Sequence, residues 1–554
     1  MNTINNLLNL IDSYIGGSSW FVALLLGTGL FYTIYLRFPQ FRFFGHAINV
    51  IRGKYDKPGD KGDTSHFQSL ATALSGTVGT GNIAGVAFAL YLGGPAGLFW
   101  MIVCAFLGMT TKFVEVILSH KYREIEEDGS ISGGPMYYMK KRLKTPHLAG
   151  FFALMVIFSA FGLGSFPQIN SISNSLFATY GLSKILTGAI LAVILAFVIL
   201  GGIKRIASVT EKLVPFMALV YFVASIIVIC CNYENLIPSI ISIFSDVFSG
   251  TAATGGFLGA TFSFAFNKGV NRGLFSNEAG LGSAPIAHAA ARTSEPVSEG
   301  VVSLLEPFID TIVICTLTGL VILSSGVWKE KLDNTFQAAD MVVFNQEYHE
   351  NIAQDKKELS AYVMHKKKLP LYDGNLNVID GIIQEKISIL HAHSLAENVK
   401  VFDEDDKLYT GKVLIEEGVF LNEEDVSFKG RSLIHSAPLT AEAFSRSILG
   451  DFGKTIVSFG LLLFAFSTSL AWAYYGGRSV NFLLGNKWVL PFRLIFCISY
   501  FFAAFVDTTI AWTLSAITIA LMALPNLLGL LILHKEVKTE INDYKKRIKK
   551  DFSK

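Results

Sequence analysis

Residues 75–82 read SGTVGTGN, in the middle of an apolar stretch that extends from about residue 67 to residue 92. A helix of about 20 apolar residues is long enough to cross a bilayer. Three of these eight residues are glycine, which is a poor helix former because it loses the most backbone freedom on folding. A membrane span can lose its winding only where protein or a water-filled cavity satisfies the freed peptide groups. The pattern therefore predicts a span that is broken inside the protein.

The composition of the whole chain excludes a soluble protein. Hydrophobic residues make up 51% of the 554 residues and charged residues 16%, against roughly 25% charged residues in soluble domains. About 35 of the 90 charged residues lie in 328–447, so the rest of the chain has even fewer charges. This distribution excludes a soluble enzyme, a disordered protein and a nucleic-acid-binding protein. The five cysteines all lie in apolar stretches without a CxxC motif, which is typical of packed thiols.

Hydropathy predicts an all-α membrane protein with about eleven transmembrane helices. The predicted spans are about 18–36, 67–92, 94–119, 149–177, 183–201, 213–232, 252–267 continuing into 274–291, 300–325, 453–475, 489–506 and 509–533.

The positive charges of the loops predict how the spans are oriented. Segments 37–66 and 121–148 carry six Lys or Arg each, and the tail after Leu533 carries eight. The alternate loops, at 1–17, 178–183, 233–250 and 507–508, carry none. Because positive loops stay in the cytoplasm, we expect an outside N-terminus, a cytoplasmic C-terminus and an odd number of spans.

This orientation divides the chain into four parts. Residues 1–327 form the first part of the transmembrane core, and residues 448–534 form its last three helices. Between them, residues 328–447 form an acidic extracellular insertion, with about 21 acidic and 14 basic residues. Its short apolar patches predict a small α+β lobe, and a disordered acidic loop is the alternative. Residues 535–554 form a basic cytoplasmic tail.

The seventh apolar stretch is interrupted like the second. It reads NKGVNRG at 267–273 and FSNEAGLG at 275–282, with four glycines. The two breaks are five spans apart, so the two halves of the chain would have opposite topology. Inverted repeats with broken helices at matching positions are typical of secondary transporters, whose site lies at the bilayer midplane. Free N–H groups there suit a carboxylate, and free carbonyls suit a cation. The alternative is that the glycines only allow close helix packing.

Five motifs carry a resemblance to a known family. They are GTGNIAGVA at 79–87, GGPAGLFWM at 93–101, SGGPMYY at 132–138, RGLFSNEAGLGSAP at 272–285 and EPFIDT at 306–311. Together they resemble the signatures of the alanine or glycine:cation symporter family, over residues 15–328 and 440–535. Ile102 departs from the family pattern, which usually has a second tryptophan there, and the acidic insertion is absent from most members.

The resemblance implies a leucine-transporter-type fold. Ten core helices would form a 5+5 inverted repeat with broken second and seventh spans, and the first span would be peripheral. It also implies a sodium-coupled secondary active symporter of the cell membrane that imports small neutral amino acids, alanine and glycine, by alternating access. Na⁺ would be the coupling ion, with no other cofactor, no nucleic-acid partner and no enzymatic activity. The preference among alanine, glycine and glutamine stays open, as does acceptance of D-isomers.

The resemblance also implies a set of site residues. The predicted substrate contacts are Thr80, Gly81, Asn82, Gln168, Phe275, Asn277, Thr468 and Trp472. The predicted Na⁺ ligands are the carbonyls of Ser75 and Val78 and the hydroxyls of Ser467, Thr468 and Ser469. Three alternatives remain open: Asn82 as a residue that holds the break or caps the next helix, Trp472 as a core aromatic residue, and the hydroxyls bonded to carbonyls one turn earlier.

Ionisable groups in apolar context predict a gate. We expect Arg272 or Lys268 to pair with Glu278 or Asp310 and to hold the cytoplasmic gate, with a purely structural salt bridge as the alternative. A membrane enzyme is excluded because the histidines supply no nucleophile–base pair or HExxH motif. Two other functions remain open. One is an amino-acid sensor that uses the extracellular lobe. The other is a proton-coupled symporter, which would need a carboxylate in the site, and the sequence indicates none near Thr80.

Overall fold

The structure is a computed structural model that describes residues 8, 10–16, 18–126, 129–251, 254–421, 426–506 and 509–552. Within these residues, six helical units are long and apolar enough to cross a membrane, and one bent pair of helices makes a seventh. The six units are Pro95–Lys121, Pro146–Tyr180, Gly202–Cys231, Pro296–Ser325, Asp451–Leu484 and Thr513–Ile532, and the bent pair is His66–Thr77 with Gly81–Gly93. The protein is therefore mostly helical and crosses a membrane several times.

The remaining four predicted spans are helical but short. Ser19–Tyr35 has 17 residues, Lys184–Ile199 and Phe262–Asn277 have 16 each, and Val489–Ala503 has 15. Each is below the roughly 20 residues of an ordinary span. Seven spans are thus found by length and composition, and the eleven-span topology stays a prediction.

The helices are numbered in chain order. They are α1 Ser19–Tyr35, α2 Pro39–Arg42, α3 Phe44–Ile51, α4 His66–Thr77, α5 Val86–Gly93, α6 Pro95–Lys121, α7 Pro135–Lys141, α8 Pro146–Gly162, α9 Phe166–Tyr180, α10 Lys184–Ile199, α11 Gly202–Cys231, α12 Leu236–Ser249, α13 Phe262–Asn277, α14 Ala284–His288, α15 Pro296–Ser303, α16 Leu305–Pro307, α17 Thr316–Ser325, α18 Ala353–Val363, α19 Ser436–Ser445, α20 Asp451–Leu484, α21 Val489–Ala503, α22 Thr509–Ile532 and α23 His534–Phe552. Two π-helical segments, Gly81–Gly85 and Phe308–Cys315, precede α5 and α17.

The break in the second span is confirmed. Helix α4 begins with a capping box at Ser65 and ends at Thr77, and Val78 is extended, with φ −75° and ψ 92°. The chain then forms the π-helical segment and continues as α5, which is bent by 53° from α4. Side chains satisfy the freed groups: the Asn82 side-chain oxygen accepts from the Gly79 N–H at 2.8 Å, and the Thr440 hydroxyl donates to the Ile83 carbonyl at 2.9 Å.

The predicted break within residues 267–273 is wrong, because α13 is continuous from Phe262 to Asn277. The glycines of this segment serve close packing instead. A Cβ at Gly269 would lie 2.5 Å from the Gly97 carbonyl of α6, and a Cβ at Gly273 would lie 2.9 Å from the Cys104 side chain. Helices approach this closely only through small residues. The alternative that glycines allow close packing therefore holds for this helix.

Helix α13 ends at Asn277, and the next residue, Glu278, has a φ of 54°. Gly280 and Gly282 also have positive φ, at 94° and 79°, and the helical path resumes only with the short α14. The chain is thus unwound over 278–283, at the C-terminal end of α13. Phe275 and Asn277 lie in the last turn before this irregular segment, whereas we had expected them just after a break.

The insertion forms an α+β lobe, so the alternative of a disordered loop is wrong. The first two strands, β1 Glu124–Ile125 and β2 Ile131–Ser132, form a hairpin in the helical core. The strands of the lobe are β3 Leu332–Thr335, β4 Met341–Phe344, β5 Gly374–Ile379, β6 Ile382–Ile383, β7 Ser388–His391, β8 Ser394–Leu395, β9 Glu397–Asp403, β10 Gly411–Glu416, β11 Val419–Phe420 and β12 Val426–Ser432. The lobe strands form three small sheets with orders β11-β10-β5-β6, β3-β12-β9 and β4-β7-β8. Alternate residues, such as Val413 and Ile415 on β10, are buried in the lobe core.

The lobe packs on the helical core through histidines. His393 stacks on Tyr91 of α5 with 4.8 Å between ring centroids, and His435 lies 4.9 Å from the same ring and 5.6 Å from Phe88. Asp340 lies 2.9 Å from the Nε2 of His435. The second half of the broken span, α5, is therefore in direct contact with the lobe.

We predict that acid pH destabilises the lobe. Burial lowers the pKa of His391 to about 4 and the pKa of His393 to about 4. The unfolded imidazoles take up protons below about pH 6.5, whereas the folded ones stay neutral, so the unfolded state binds more protons. Stability is then fully present above about pH 6.5 and falls as the pH drops to about 4, by about 3 kcal/mol for each histidine. Melting temperatures measured between pH 7.5 and pH 4.5 check this prediction.

The His393→Asn variant is the control for this measurement, because asparagine tolerates the φ of 53° at this position. Its melting temperature should fall less between the two pH values than that of the wild type. An equal fall in both proteins would contradict the prediction.

Candidate functional site

A small cavity lies where the break in the second span meets the end of α13. Its empty volume is about 180 Å³. The residues that line it are Gly76, Thr77, Gly79, Thr80, Gly81, Leu163, Gln168, Phe275, Glu278 and Thr468. Five residues that the sequence suggested as substrate contacts are therefore brought together: Thr80, Gly81, Gln168, Phe275 and Thr468.

Hydrogen-bonding groups are concentrated at one end of this cavity. The Thr80 N–H points to the side-chain oxygen of Gln168, at a long 3.4 Å, and the Gln168 side-chain nitrogen is anchored to the Leu163 carbonyl at 3.0 Å. The Thr80 hydroxyl is buried and has no hydrogen-bond partner among the described residues. Because Thr80 precedes a new helical segment, its N–H belongs to a helix start, which favours an anion.

Asn82 braces the break and does not line the cavity. Its oxygen accepts from Gly79, and its nitrogen donates to the Asp310 carboxylate at 2.6 Å and to the Asp310 carbonyl at 3.1 Å. The Asp310 carboxylate also accepts from Ser276 at 2.8 Å and from Thr311 at 2.6 Å. Of the roles that the sequence suggested for Asn82, these contacts fit holding the break, because its amide connects the break to the second half of the chain, and a substrate contact stays a prediction.

Asn277 and Trp472 also lie behind the cavity lining. The Asn277 oxygen accepts from the Ala279 N–H at 3.0 Å, and its nitrogen is 3.4 Å from the Thr311 hydroxyl. The Trp472 indole N–H donates to the Glu278 carboxylate at 2.9 Å. Trp472 therefore orients a cavity-lining residue, and the expectation that it walls the cavity directly is corrected.

Five oxygen atoms converge beside the cavity. The Ser467 hydroxyl lies 3.4 Å from the Ser75 carbonyl, and the Thr468 hydroxyl lies 3.5 Å from the Val78 carbonyl. Both hydroxyls also reach the Phe464 carbonyl, at 2.8 Å and 3.1 Å. The first two distances are long for a hydrogen bond, so the two hydroxyls are close to the Ser75 and Val78 carbonyls without being firmly bonded to them. Clustered oxygen donors suit a hard cation.

The oxygen cluster differs in two ways from the predicted one. Ser469 is outside it, since its hydroxyl donates to the Ala465 carbonyl at 3.2 Å. The Phe464 carbonyl is an additional member. It accepts from both Ser467 and Thr468, which is the bonding to a carbonyl one turn earlier that the sequence had left open as an alternative.

The predicted gate pairs are not formed among the described residues. The Arg272 guanidinium lies over the Phe88 ring at 4.4 Å and 5.9 Å from the Phe275 ring, and Lys268 lies over Phe264 at 5.5 Å. Neither side chain pairs with Glu278 or Asp310. Since Phe88 also contacts His435 of the lobe, Arg272 lies on the lobe side of the cavity, away from the expected cytoplasmic gate.

A buried charge cluster lies on the other side of the cavity, and sequence reasoning missed it. Lys112 pairs with Glu306 at 2.6 Å, His288 pairs with Glu299 at 2.5 Å and approaches Glu306 to 3.6 Å, and His66 also pairs with Glu299. Lys112, Glu299, Glu306 and His288 have no exposed surface. The signal in the sequence is the charge of Lys112 and Glu306 within apolar spans. The cluster connects α4, α6, α14, α15 and α16 near the start of α4.

No group of three or more His, Cys, Asp or Glu side chains is arranged to hold a metal ion within the described part of the chain. The geometry instead combines a small cavity, a helix start and an oxygen cluster around one broken span.

Comparisons with known proteins identify the family of the chain. The profile of the sodium:alanine symporter family matches residues 1–353 and 418–554, which leaves only part of the lobe outside the match. The chain belongs to the sodium:alanine symporter family. It is 34% identical to the sodium/alanine symporter AgcS of Methanococcus maripaludis, over 97% of this chain and 96% of that protein. It is 36% identical to an uncharacterized transporter of Haemophilus influenzae, over 99% of this chain and 97% of that protein.

Other members have different names. The probable sodium/glutamine symporter GlnT of Bacillus subtilis is 36% identical over 56% of this chain and 64% of its own length. Members of the sodium:alanine symporter family are transporters, which are not enzymes, and the apolar helices of this chain fit a multi-pass membrane protein. A solved manganese transporter of Eremococcus coleocola aligns with 86% of this chain and 92% of its own, at 11% identity and a TM-score of 0.42, too low for an argument about the fold.

Proposed function

We propose that the protein is a sodium-coupled symporter that imports small neutral amino acids, alanine and glycine, by alternating access. The observation that carries the proposal is the broken second span, which contributes both to the cavity and to the oxygen cluster. Ser75 and Val78 contribute carbonyls to the cluster, and Thr80 and Gly81 line the cavity immediately after them. One unwound segment would therefore hold an ion and an amino acid side by side, which explains how their binding is coupled.

The substrate carboxylate would bind at the helix start. The N–H groups of Thr80 and Gly81 and the unpartnered Thr80 hydroxyl would receive it, since peptide N–H groups at a helix start attract anions. Phe275 would contact the small side chain, and Gln168 would contribute a polar group. The cavity is small, and larger amino acids would be rejected by steric clash, because one methylene changes contact energy by only about 1–3 kcal/mol.

Na⁺ would bind in the oxygen cluster. Its ligands would be the carbonyls of Ser75, Val78 and Phe464 and the hydroxyls of Ser467 and Thr468. Thr468 also lines the cavity, so it would contact both the ion and the substrate. One charge that crosses 100 mV releases about 2.3 kcal/mol, to which the sodium gradient adds.

The topology belongs to the proposal. Helices occupy all eleven predicted positions, which supports eleven spans in a 5+5 inverted repeat with a peripheral first helix. The loop charges support an outside N-terminus and a cytoplasmic C-terminus in the cell membrane. The lobe at 328–447 would then be extracellular and lie above the cavity. The buried charge cluster around Glu299 and Glu306 would close the cytoplasmic side, in place of the gate expected from Arg272.

Proton coupling is a second candidate, supported by one specific observation. The sequence indicated no carboxylate near Thr80, but Glu278 lines the same cavity as Thr80. A carboxylate in the site is what a proton-coupled symporter needs. The name of one relative, a putative sodium/proton-dependent alanine carrier of Bacillus subtilis, mentions both ions.

Uptake into proteoliposomes tests the proposal. Labelled alanine, glycine and glutamine would be supplied with a gradient of Na⁺, of Li⁺ or of protons. We expect alanine and glycine to accumulate with a Na⁺ gradient, and accumulation driven by a proton gradient alone would favour the second candidate. Binding of alanine without any flux would contradict both and would indicate a sensor that uses the lobe.

A further inference from the structure

Glu278 is the one charged residue among the ten that line the cavity. It follows the last residue of α13, and its side chain is only 2% exposed. We had expected it to pair with a basic residue at a gate. Its place in the cavity lining requires a different explanation.

The partners of the Glu278 carboxylate are neutral. One oxygen accepts from the Trp472 indole N–H at 2.9 Å, and the other accepts from the Ser283 hydroxyl at 2.6 Å. No Lys, Arg or His of the described residues lies within 4.0 Å of it. A carboxylate offers about four acceptor positions, so two remain for a further donor. Burying a carboxylate without a cation is costly, and a positively charged group that enters the cavity would remove much of that cost.

Other buried carboxylates show how the protein treats groups that do not face the cavity. Glu306 pairs with Lys112, and Glu299 pairs with His66 and His288. Glu115 has no such pair, and it accepts from the Asn526 amide, but it is not part of the cavity lining. What distinguishes Glu278 is therefore the combination of a missing counter-charge within 4.0 Å and a place in the cavity lining.

The cavity lining contains two sets of groups of opposite character. Thr80 and Gly81 present the N–H groups of a helix start, which favour a negative charge. Gly76 and Thr77 are the last residues of α4, and the carbonyls at a helix end accept no N–H from a following turn. Glu278 adds a carboxylate to the same lining. A zwitterion matches such a lining, with its carboxylate at the helix start and its ammonium at the carboxylate.

We propose that the carboxylate of Glu278 receives the ammonium group of the substrate and so restricts transport to α-amino acids with a free amine, an inference that rests on the proposed function. Trp472 and Ser283 are positioning residues that hold this carboxylate. The site should discriminate against 2-hydroxy acids and simple carboxylic acids of the same size, because they leave the buried carboxylate without a positive partner.

Equilibrium binding to the purified full-length protein in Na⁺ buffer tests this inference, with alanine and lactate as ligands. Lactate has the same carbon skeleton as alanine, with a neutral hydroxyl group in place of the ammonium. We expect the wild type to bind alanine at least about 30-fold more tightly than lactate, and Glu278→Gln to lose this preference through weaker alanine binding. Glu278→Asp keeps the charge and should retain part of the preference.

Glu115→Gln is the matched control, because it neutralises a buried, hydrogen-bonded carboxylate outside the cavity lining. It should bind alanine like the wild type. A thermal shift on addition of Na⁺ that persists in Glu278→Gln would show that this variant is folded with its oxygen cluster intact. If this variant does not fold, the ligand series on the wild type decides.

Two results would overturn the inference. One is lactate binding within threefold of alanine by the wild type, and the other is wild-type alanine affinity in folded Glu278→Gln. If Glu278→Gln keeps its alanine affinity but loses proton-driven uptake, Glu278 carries a proton instead, and the inference is wrong. Failure of the proposed function is distinguishable, since it would be seen as the absence of sodium-driven uptake by the wild type.

Discussion

Replacement of Gly79 by alanine is expected to reduce Na⁺-driven alanine uptake by about 100-fold or more. A Cβ at Gly79 would lie 2.3 Å from the Thr468 hydroxyl oxygen and 3.5 Å from the Gln168 side-chain oxygen. The first distance is too short for any real contact, so Thr468 or the break itself must move. Thr468 belongs to both the oxygen cluster and the cavity lining, and misplacement of a positioning group by about 1 Å can reduce a rate by about 100-fold.

The matched control is Gly85→Ala, in the π-helical part of the same span. The nearest atom to a Cβ at Gly85 is the Thr80 carbonyl oxygen at 4.0 Å, so there is room for a methyl group. This variant should transport at a rate near that of the wild type. Initial uptake rates in proteoliposomes, normalised to the amount of inserted protein, check both variants. Similar rates for Gly79→Ala and Gly85→Ala would mean that the approach of Gly79 to Thr468 is not needed for transport.

The Lys112→Met variant is expected to be the most destabilised of the variants discussed. Lys112 and Glu306 are completely buried and lie 2.6 Å apart. Removal of one member of a buried ion pair leaves an uncompensated charge and costs about 3–5 kcal/mol. The melting temperature of the purified protein in detergent should fall markedly.

The double variant Lys112→Met with Glu306→Gln should recover much of this loss, because it leaves no unpaired charge at either position. His288, which approaches Glu306 to 3.6 Å, keeps its pair with Glu299 in this background. A double variant no more stable than Lys112→Met alone would contradict the explanation by charge burial.

The break in the second span was predictable because several local signals agree there. Gly76, Gly79 and Gly81 weaken the helix, and Asn82 supplies an amide that replaces lost backbone hydrogen bonds. Sequence reasoning misplaced the break of the seventh stretch, which lies at 278–283 and not within 267–273, because a glycine has the same local effect whether it breaks a helix or packs against another one. Gly269 and Gly273 lie against α6, and only the tertiary structure reveals that neighbour.

The site was predictable where a side-chain type or a motif position determines the chemistry. Thr80, Gln168, Phe275 and Thr468 meet at one cavity. The bonds of Ser467 and Thr468 to the Phe464 carbonyl match the open alternative of bonding one turn back, but the approach of these hydroxyls to the Ser75 and Val78 carbonyls depends on how the helices pack. The place of Glu278 was also not predictable, since whether a buried acid pairs with Arg272 or faces a cavity depends on where α13 ends.

The lobe shows the same limit on a larger scale. Alternating apolar residues, such as Val413 and Ile415, were enough to predict strands. The contact of the lobe with the helical core was not predictable, because stacking of His393 and His435 on Tyr91 joins residues more than 300 positions apart in the chain. The lobe thereby lies against α5, the second half of the broken span.

The central claim is that one broken span holds Na⁺ and an amino acid next to each other. The most direct test is the alanine affinity of the purified protein as Na⁺ replaces choline at constant ionic strength. We predict that alanine binds more tightly as Na⁺ rises, by a factor on the order of 5 to 150, and that the Ser467→Ala variant loses this response. Equal alanine affinity in Na⁺ and in choline would contradict the account.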